Sequence, residues 1–168
     1  MISPEYLWVM SRYNRWQNHS LYGAADALDE ADRTADRGAF FGSIHGTLSH
    51  LLWGDTIWMS RFDGWDAPAT GIAGSPDAEP DWAALKAART RADARIMEWA
   101  DRIVPGDLEG DLTWYSGASG RELTKPRTLL VMQLFNHQTH HRGQVHAMLT
   151  AAGARPDDTD LPFMPEDV

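Results

Sequence analysis

The stretch Asn136-His137-Gln138-Thr139-His140-His141-Arg142-Gly143-Gln144 places two histidines, His137 and His141, four residues apart. In an α-helix, side chains at i and i+4 lie one above the other, so both rings can reach the same point. Apolar residues continue this face at helical spacing, namely Leu130, Leu134, Val145 and Met148. The pattern predicts a long amphipathic helix whose buried face carries both histidines.

Two histidines on a buried helix face have two interpretations. Both can be core residues whose polar atoms are satisfied by neighbouring groups. Alternatively, the pair binds one metal ion, and further ligands come from elsewhere in the chain. His140 and His146 lie about 100° and 140° around an ideal helix from His141, so they are not expected to share such a site. The sequence of this helix leaves both interpretations open.

A third candidate ligand has to lie outside this helix, where the chain has His19, His45 and His50. His19 falls on the polar side of the first predicted helix. His45 and His50 are about 140° apart on their helix, so they cannot both face one site. Gly46 and Gly54 lie four residues before and after His50, where they either leave a hollow around its ring or merely allow close helix packing. His50 is therefore the preferred third ligand.

Together, His50, His137 and His141 would supply three imidazole nitrogens and leave coordination positions open. Structural zinc sites usually have four protein ligands, whereas catalytic sites commonly have three and a water. Imidazole donors suit zinc, nickel, iron or copper and hardly discriminate between them. The chain has no cysteine, which excludes thiolate ligands and thiolate catalysis by the protein itself. Any thiol chemistry would need a thiol from a separate molecule.

Four amphipathic helices are predicted along the chain, separated by segments rich in Gly, Pro or Asp. They cover residues 3–28, 40–62, 80–103 and 126–152, and residues 29–37 and 64–80 are predicted to be irregular. Residues 112–124 contain a Gly-rich turn between two short alternating stretches, which favours a β-hairpin. The sequence thus predicts an all-α four-helix bundle with a small β-hairpin before the last helix, in a single domain of residues 1–168.

Composition excludes several classes of partner. The chain has 168 residues and a formal net charge of −9. An acidic chain repels phosphate backbones, and no Lys/Arg cluster offsets this, so nucleic-acid binding is not expected. No apolar stretch has the roughly 20 residues of a membrane helix, and the start of the chain lacks a signal-peptide core. We therefore expect a cytoplasmic protein that acts on a small molecule.

Five other side chains are candidates for a pocket. Tyr13 and Gln17 lie on the inward face of the first predicted helix, and Arg89 on that of the third. They either line the site, with Arg89 recognising an anionic substrate, or are core residues whose polar ends find partners or water. Trp114 and Tyr115 in the hairpin either form part of the pocket wall or belong to a segment that only connects two helices.

Three segments resemble the DinB family. They are residues 43–55 (SIHGTLSHLLWGD), residues 136–144 (NHQTHHRGQ) and the early Tyr13-Asn14-Arg15-Trp16. The resemblance extends over nearly the whole chain and implies a four-helix bundle, usually a homodimer. It also implies nickel or zinc, bound by one His of the second helix and by both His of the HxxxH pair. By position, these are His50, His137 and His141.

The resemblance and the residues together leave three functions open. Relatives in the wider superfamily include thiol-dependent transferases and isomerases that use mycothiol or bacillithiol, which suits an enzyme with an open metal site. A metal-dependent hydrolase would need a general base, and Asp55 lies about 140° from His50 on an ideal helix. The third possibility is a non-enzymatic dimeric module whose ion only stiffens the bundle. No catalytic residue is assigned from the sequence.

Overall fold

A computed structural model describes residues 2–168 as a set of helices with one antiparallel hairpin. The elements are α1 (Pro4–Asp26), α2 (Glu30–Thr34), α3 (Ile44–Phe62), α4 (Trp82–Arg102), β1 (Asp111–Ser116), β2 (Arg121–Pro126) and α5 (Arg127–Ala151). The predicted all-α bundle with a small hairpin before the last helix is confirmed. Within residues 2–168, no helix combines the length and the apolar character that crossing a membrane requires.

Capping residues explain where the helices begin. Ser43 and Asp81 are the N-caps of α3 and α4, and each side chain accepts a hydrogen bond from the backbone amide three residues later, at 2.9 and 2.7 Å. α3 therefore begins four residues later than predicted, because a tight turn precedes Ser43. The segment 29–37 is not wholly irregular, since Asp29 caps the short α2. The segment 64–80 likewise contains a 3₁₀ turn at Ile72–Asp77.

The four long helices form a ring in which α1 packs against α4 and α5, and α3 packs against the same two. One apolar cluster contains Leu7 from the start of α1, Met59 from the end of α3 and Trp99 from the end of α4. Phe135, from the first half of α5, belongs to the same cluster. A second apolar cluster contains the opposite ends of these helices. Hence α3 and α4 are parallel to each other and antiparallel to α1 and α5.

The segment 63–81 is a crossover, because it joins the end of α3 to the start of a parallel helix at the far end of the bundle. It packs along α3 as it returns. The indole N–H of Trp53 donates to the carbonyl of Thr70 at 2.8 Å, and Nε2 of His45 lies 2.8 Å from the carbonyl oxygen of Glu79. The crossover therefore lies directly against the helix that carries His50.

A layer of buried polar side chains lies between the two apolar clusters. It comprises Asn14 and Asn18 from α1, Asp55 from α3, Arg89 and Asp93 from α4, and Gln138 and Arg142 from α5. Nη1 of Arg89 donates to Asp55 at 2.6 Å, and its Nη2 lies 2.8 Å from Asp93. Asp55 also accepts from Gln138, and Asp93 accepts from Asn18 at 2.9 Å. Two arginines and two aspartates make the layer formally neutral.

Three of the five pocket candidates make contacts inside the protein, either within the polar layer or with the C-terminal tail. Arg89 is only 3% exposed and its guanidinium is paired with two carboxylates, so its charge is neutralised inside the bundle. Tyr13 and Gln17 are buried, and they donate at 2.8 Å to the backbone carbonyls of Thr159 and Asp158. Their hydrogen bonds fasten the C-terminal tail to α1.

The hairpin packs near the C-terminal end of α3. The ring of Trp114 meets that of Trp58 edge to face, with centroids 5.7 Å apart. Trp58 lies eight residues after His50 in the same helix, a distance of about 12 Å along the axis. Tyr115 is 65% exposed. These contacts give no support to the expectation that the hairpin forms a wall of the histidine site, and they fit the alternative that it connects α4 to α5.

We predict that Asp55→Ala lowers the free energy of unfolding by at least about 3 kcal/mol, because it removes a buried partner of Arg89 and the acceptor of Gln138. Urea unfolding followed by circular dichroism measures the change. Asp101→Ala is the matched control, since Asp101 pairs with Arg12 at 3.0 Å on the surface and should cost less than about 1 kcal/mol. Equal losses in the two variants would contradict a stabilising role for the polar layer.

Candidate metal centre

His50 from α3 meets His137 and His141 from α5. One candidate ligand nitrogen from each ring lies within 4.8 Å of the other two. Nε2 of His50 is 3.1 Å from Nε2 of His137, and the three ring centroids are 4.6 to 5.1 Å apart. The structure thus brings together the three histidines that the sequence singles out, although they lie on two helices and far apart in the chain.

The other four histidines are placed elsewhere. His45 is buried, but its ring is turned towards the backbone of the crossover. His19 is exposed and His146 is half-buried, and they line two separate cavities. His140 is exposed next to the centre, with its ring centroid 4.8 Å from that of His141. These positions agree with the expectation that the four histidines are not ligands of the three-histidine cluster.

Hydrogen bonds orient two of the three rings. Nδ1 of His50 is 2.7 Å from the hydroxyl oxygen of Ser75, and that hydroxyl donates to the carbonyl of Ile72 at 2.7 Å. Since the hydroxyl proton is committed, Nδ1 of His50 is the donor and Nε2 keeps its lone pair. Nδ1 of His141 donates in the same way to Oε1 of Gln144 at 2.8 Å. Both rings are therefore fixed with Nε2 available to a ligand.

Gly54 provides the space that the third ring occupies. A Cβ at this position would lie 2.9 Å from Cε1 and 3.3 Å from Nδ1 of His137. A Cβ at Gly46 would instead lie 2.7 Å from the carbonyl oxygen of Phe41. Of the two alternatives that the sequence left open for these glycines, the contacts support close packing rather than a hollow around the ring of His50. One accommodates the ring of His137, and the other accommodates the turn before α3.

All three rings are held in the neutral form. Burial, followed by the proximity of His137 and His141, lowers the pKa of His50 to about 3. Burial, followed by the influence of His141 and His140, lowers the pKa of His137 to about 4. Burial also lowers the pKa of His141, although the hydrogen bond to Gln144 opposes the shift. At neutral pH, each ring consequently offers a lone pair rather than a positive charge.

The dimensions of the cluster are compatible with a divalent transition metal. Tetrahedral bonds of about 2.1 Å would hold the nitrogens about 3.4 Å apart. The 3.1 Å separation between His50 and His137 is close to this value. All three nitrogens lie within 4.8 Å of one another, so no pair exceeds the tetrahedral spacing by more than about 1.4 Å. Neutral imidazoles favour nickel or zinc over magnesium or calcium, which prefer oxygen ligands.

The surroundings of the trio are aromatic and neutral. The ring of Phe41 stacks on that of His50, with centroids 3.6 Å apart and planes inclined by 22°. The ring of Trp53 lies 5.7 Å from His50 at a similar inclination. Asp55, the nearest carboxylate in the sequence of α3, is buried against Arg89 instead. The electrostatic influences on the three ring pKa values accordingly come from neighbouring histidines.

Sequence reasoning missed three residues of the centre. Ser75 lies in a segment read as irregular, and no local pattern signals that it meets His50. Phe41 was assigned to the second helix, whereas it lies in the turn before it. Of the three, only the contact of Gln144 with His141 could have been predicted from the sequence, because residues three apart in a helix lie on the same side.

The amino-acid sequence matches a protein-family model along almost its entire length. The sequence model of the DinB family matches residues 1–167. The chain belongs to the DinB family. No curated protein and no solved structure matches the chain significantly. Membership of this metal-associated family and the three-histidine cluster are together compatible with metal binding.

We predict that Gly54→Ala weakens zinc or nickel binding by at least about tenfold, because the added methyl group displaces the ring of His137. Calorimetric titration of metal-free protein measures the affinity, and circular dichroism checks the helical content. Gly23→Ala in α1 is the control, since its Cβ would have no neighbour within 4 Å. Unchanged affinity in the Gly54 variant would contradict a metal site that uses this ring position.

Proposed function

We propose that this DinB-family protein is a metal-dependent enzyme whose ion is held by His50, His137 and His141. We further propose that it acts on a small molecule as a transferase or isomerase, with an external low-molecular-weight thiol. One observation carries the proposal: the hydrogen bonds of His50 and His141 through Nδ1 leave Nε2 of each ring available beside His137. Three protein ligands leave room at the ion for a thiol, water or substrate.

The chemistry divides between the ion and the protein. Nickel or zinc would supply Lewis acidity, which lowers the pKa of water or of a thiol at the open position. The three histidines would hold the ion, and Ser75 and Gln144 would fix the ring orientations. The chain has no cysteine, so a sulfur nucleophile would come from the second molecule. The resemblance to the family also supports a homodimer, and the sequence supports a cytoplasmic location.

Hydrolysis has less support than thiol-dependent transfer. It requires a general base within hydrogen-bond reach of the attacking water. Asp55 is the nearest carboxylate along α3, but it is fully buried and hydrogen-bonded to Arg89 and Gln138. Its position therefore suits it to holding helices together rather than to moving a proton at the centre. A non-enzymatic metal-binding module is the remaining alternative, and loss of the fold on metal removal would favour it.

We predict that His137→Ala loses the metal and remains folded, because the apolar clusters and the polar layer carry the stability of the bundle. Elemental analysis of protein purified without an affinity tag should find stoichiometric nickel or zinc in the wild type and less than about a tenth of that in the variant. His140→Ala is the control and should retain the metal. Stoichiometric metal in the His137 variant would exclude this residue as a ligand.

We predict that low-molecular-weight thiols raise the melting temperature of the metal-loaded protein. A ligand at about 100 times its Kd stabilises the folded state by about 2.7 kcal/mol. Differential scanning fluorimetry should show the shift with bacillithiol, mycothiol or cysteine, and a much smaller one with their S-methylated forms. No shift with any thiol, in protein whose metal content is confirmed, would contradict the thiol-dependent assignment.

A further inference from the structure

The turn between α2 and α3 presents two adjacent phenylalanines at the histidine centre. Gly38 and Gly42 both have φ of 73°, a conformation that favours glycine. The amide of Gly42 donates to the carbonyl of Ala39 at 2.8 Å, and the amide of Arg37 donates to the carbonyl of Gly42 at 2.9 Å. These bonds close a tight turn, so the positions of Phe40 and Phe41 are set by its backbone.

Phe41 covers one side of the three-histidine cluster. Its ring lies 3.6 Å from the ring of His50 and 5.3 Å from that of His141, measured between centroids. Phe41 is itself only half-buried. It therefore presents an apolar ring to solvent on one side and to two of the candidate ligands on the other.

Phe40 extends this aromatic surface into solvent. It is 81% exposed, and its ring meets that of Phe41 edge to face with centroids 4.8 Å apart. The two adjacent rings together form an exposed apolar surface that continues from the histidine centre. Trp53 adds a third ring near His50, and its indole N–H is held by the carbonyl of Thr70 at 2.8 Å.

Charged residues on this turn are already engaged with one another or with the backbone. Arg37 pairs with Asp32 at 3.2 Å. Asp36 accepts a hydrogen bond from the amide of Gly38 at 2.9 Å. The buried charges of the polar layer, including Asp55, pair among themselves on the other side of α3. The rings that contact the histidines on this side are aromatic, and the exposed carboxylate of Asp36, which lines the neighbouring cavity, disfavours an anionic group there.

We propose that Phe40 and Phe41 form the substrate-binding surface of the three-histidine centre, and that the substrate carries an uncharged aromatic or planar apolar group. This group stacks on the two rings while a donor atom of the same molecule reaches the ion. Offset and edge-to-face ring pairs are favourable beyond the area that they bury. The inference rests on the proposed function, because it requires an ion held by the three histidines.

Two hydroxamates test this inference on the zinc-loaded protein. Acetohydroxamate and benzohydroxamate bind a metal through the same group and differ in the methyl or phenyl group attached to it. Calorimetric titration gives the Kd of each. The wild-type protein should bind benzohydroxamate at least about tenfold more tightly, since its phenyl group gains ring contacts that a methyl group cannot make.

Substitutions of the two phenylalanines test whether they cause the preference for benzohydroxamate over acetohydroxamate. Phe40→Ala and Phe41→Leu should reduce the ratio of the two Kd values to within about threefold of one, while zinc content measured by elemental analysis stays stoichiometric. Tyr115→Ala is the matched control, because it removes an exposed aromatic ring from the hairpin, at the other end of α3. That variant should retain the full ratio.

The outcomes separate this inference from the proposed function. Zinc-loaded protein that binds neither hydroxamate, binds both equally, or keeps its preference in both phenylalanine variants would overturn the inference and leave the metal site standing. Protein that takes up no stoichiometric zinc would overturn the proposed function and the inference together. A tenfold preference that disappears in the two variants and persists in the Tyr115 variant would support it.

Discussion

The buried interaction between Arg89 and Asp55 joins α3 to α4 in the middle of the bundle. Asp55 also accepts a hydrogen bond from Gln138, the residue directly after His137, and it lies five residues after His50 in α3. This contact therefore fixes the register of α3 against α5, the two helices that carry the histidines. Buried ion pairs often add little net stability. Removing one partner of such a pair is costly, however, and Asp55 contacts both α4 and α5, through Arg89 and Gln138.

The ion pair of Asp55 and the candidate metal ligand His50 lie on different sides of α3. The arginines and aspartates face the bundle interior and neutralise one another, whereas the histidines have aromatic and neutral hydrogen-bonding neighbours such as Phe41, Ser75 and Gln144. This separation keeps the imidazoles uncharged, because burial lowers their pKa values and no paired carboxylate raises them. A carboxylate turned towards the trio would raise the pKa of the imidazoles, and protons would then compete with an ion for the ring nitrogens.

The sequence predicted features that depend on local periodicity, and it failed where distant segments meet. The spacing of His137 and His141 and the alternation of apolar residues indicated the helices and the shared face. The same periodicity placed Arg89 inwards but could not identify Asp55 as its partner, since that contact depends on how α3 and α4 pack. Ser75 was missed for the same reason, because only the path of the crossover brings it to His50. Phe41 was missed because the second helix was predicted to begin at residue 40, whereas α3 begins at Ile44.

The three candidate ligands come from two helices that are distant in the sequence. His137 and His141 approach each other within one helix, whereas His50 is 87 residues from His137. Closing a loop of that length has an entropic cost that contacts within a helix do not have. A partly folded chain with α5 formed offers an ion only two nitrogens, and the third is added when the bundle closes and the crossover docks. The complete set of three ligands therefore requires the closed bundle, and no single helix of this chain can supply it.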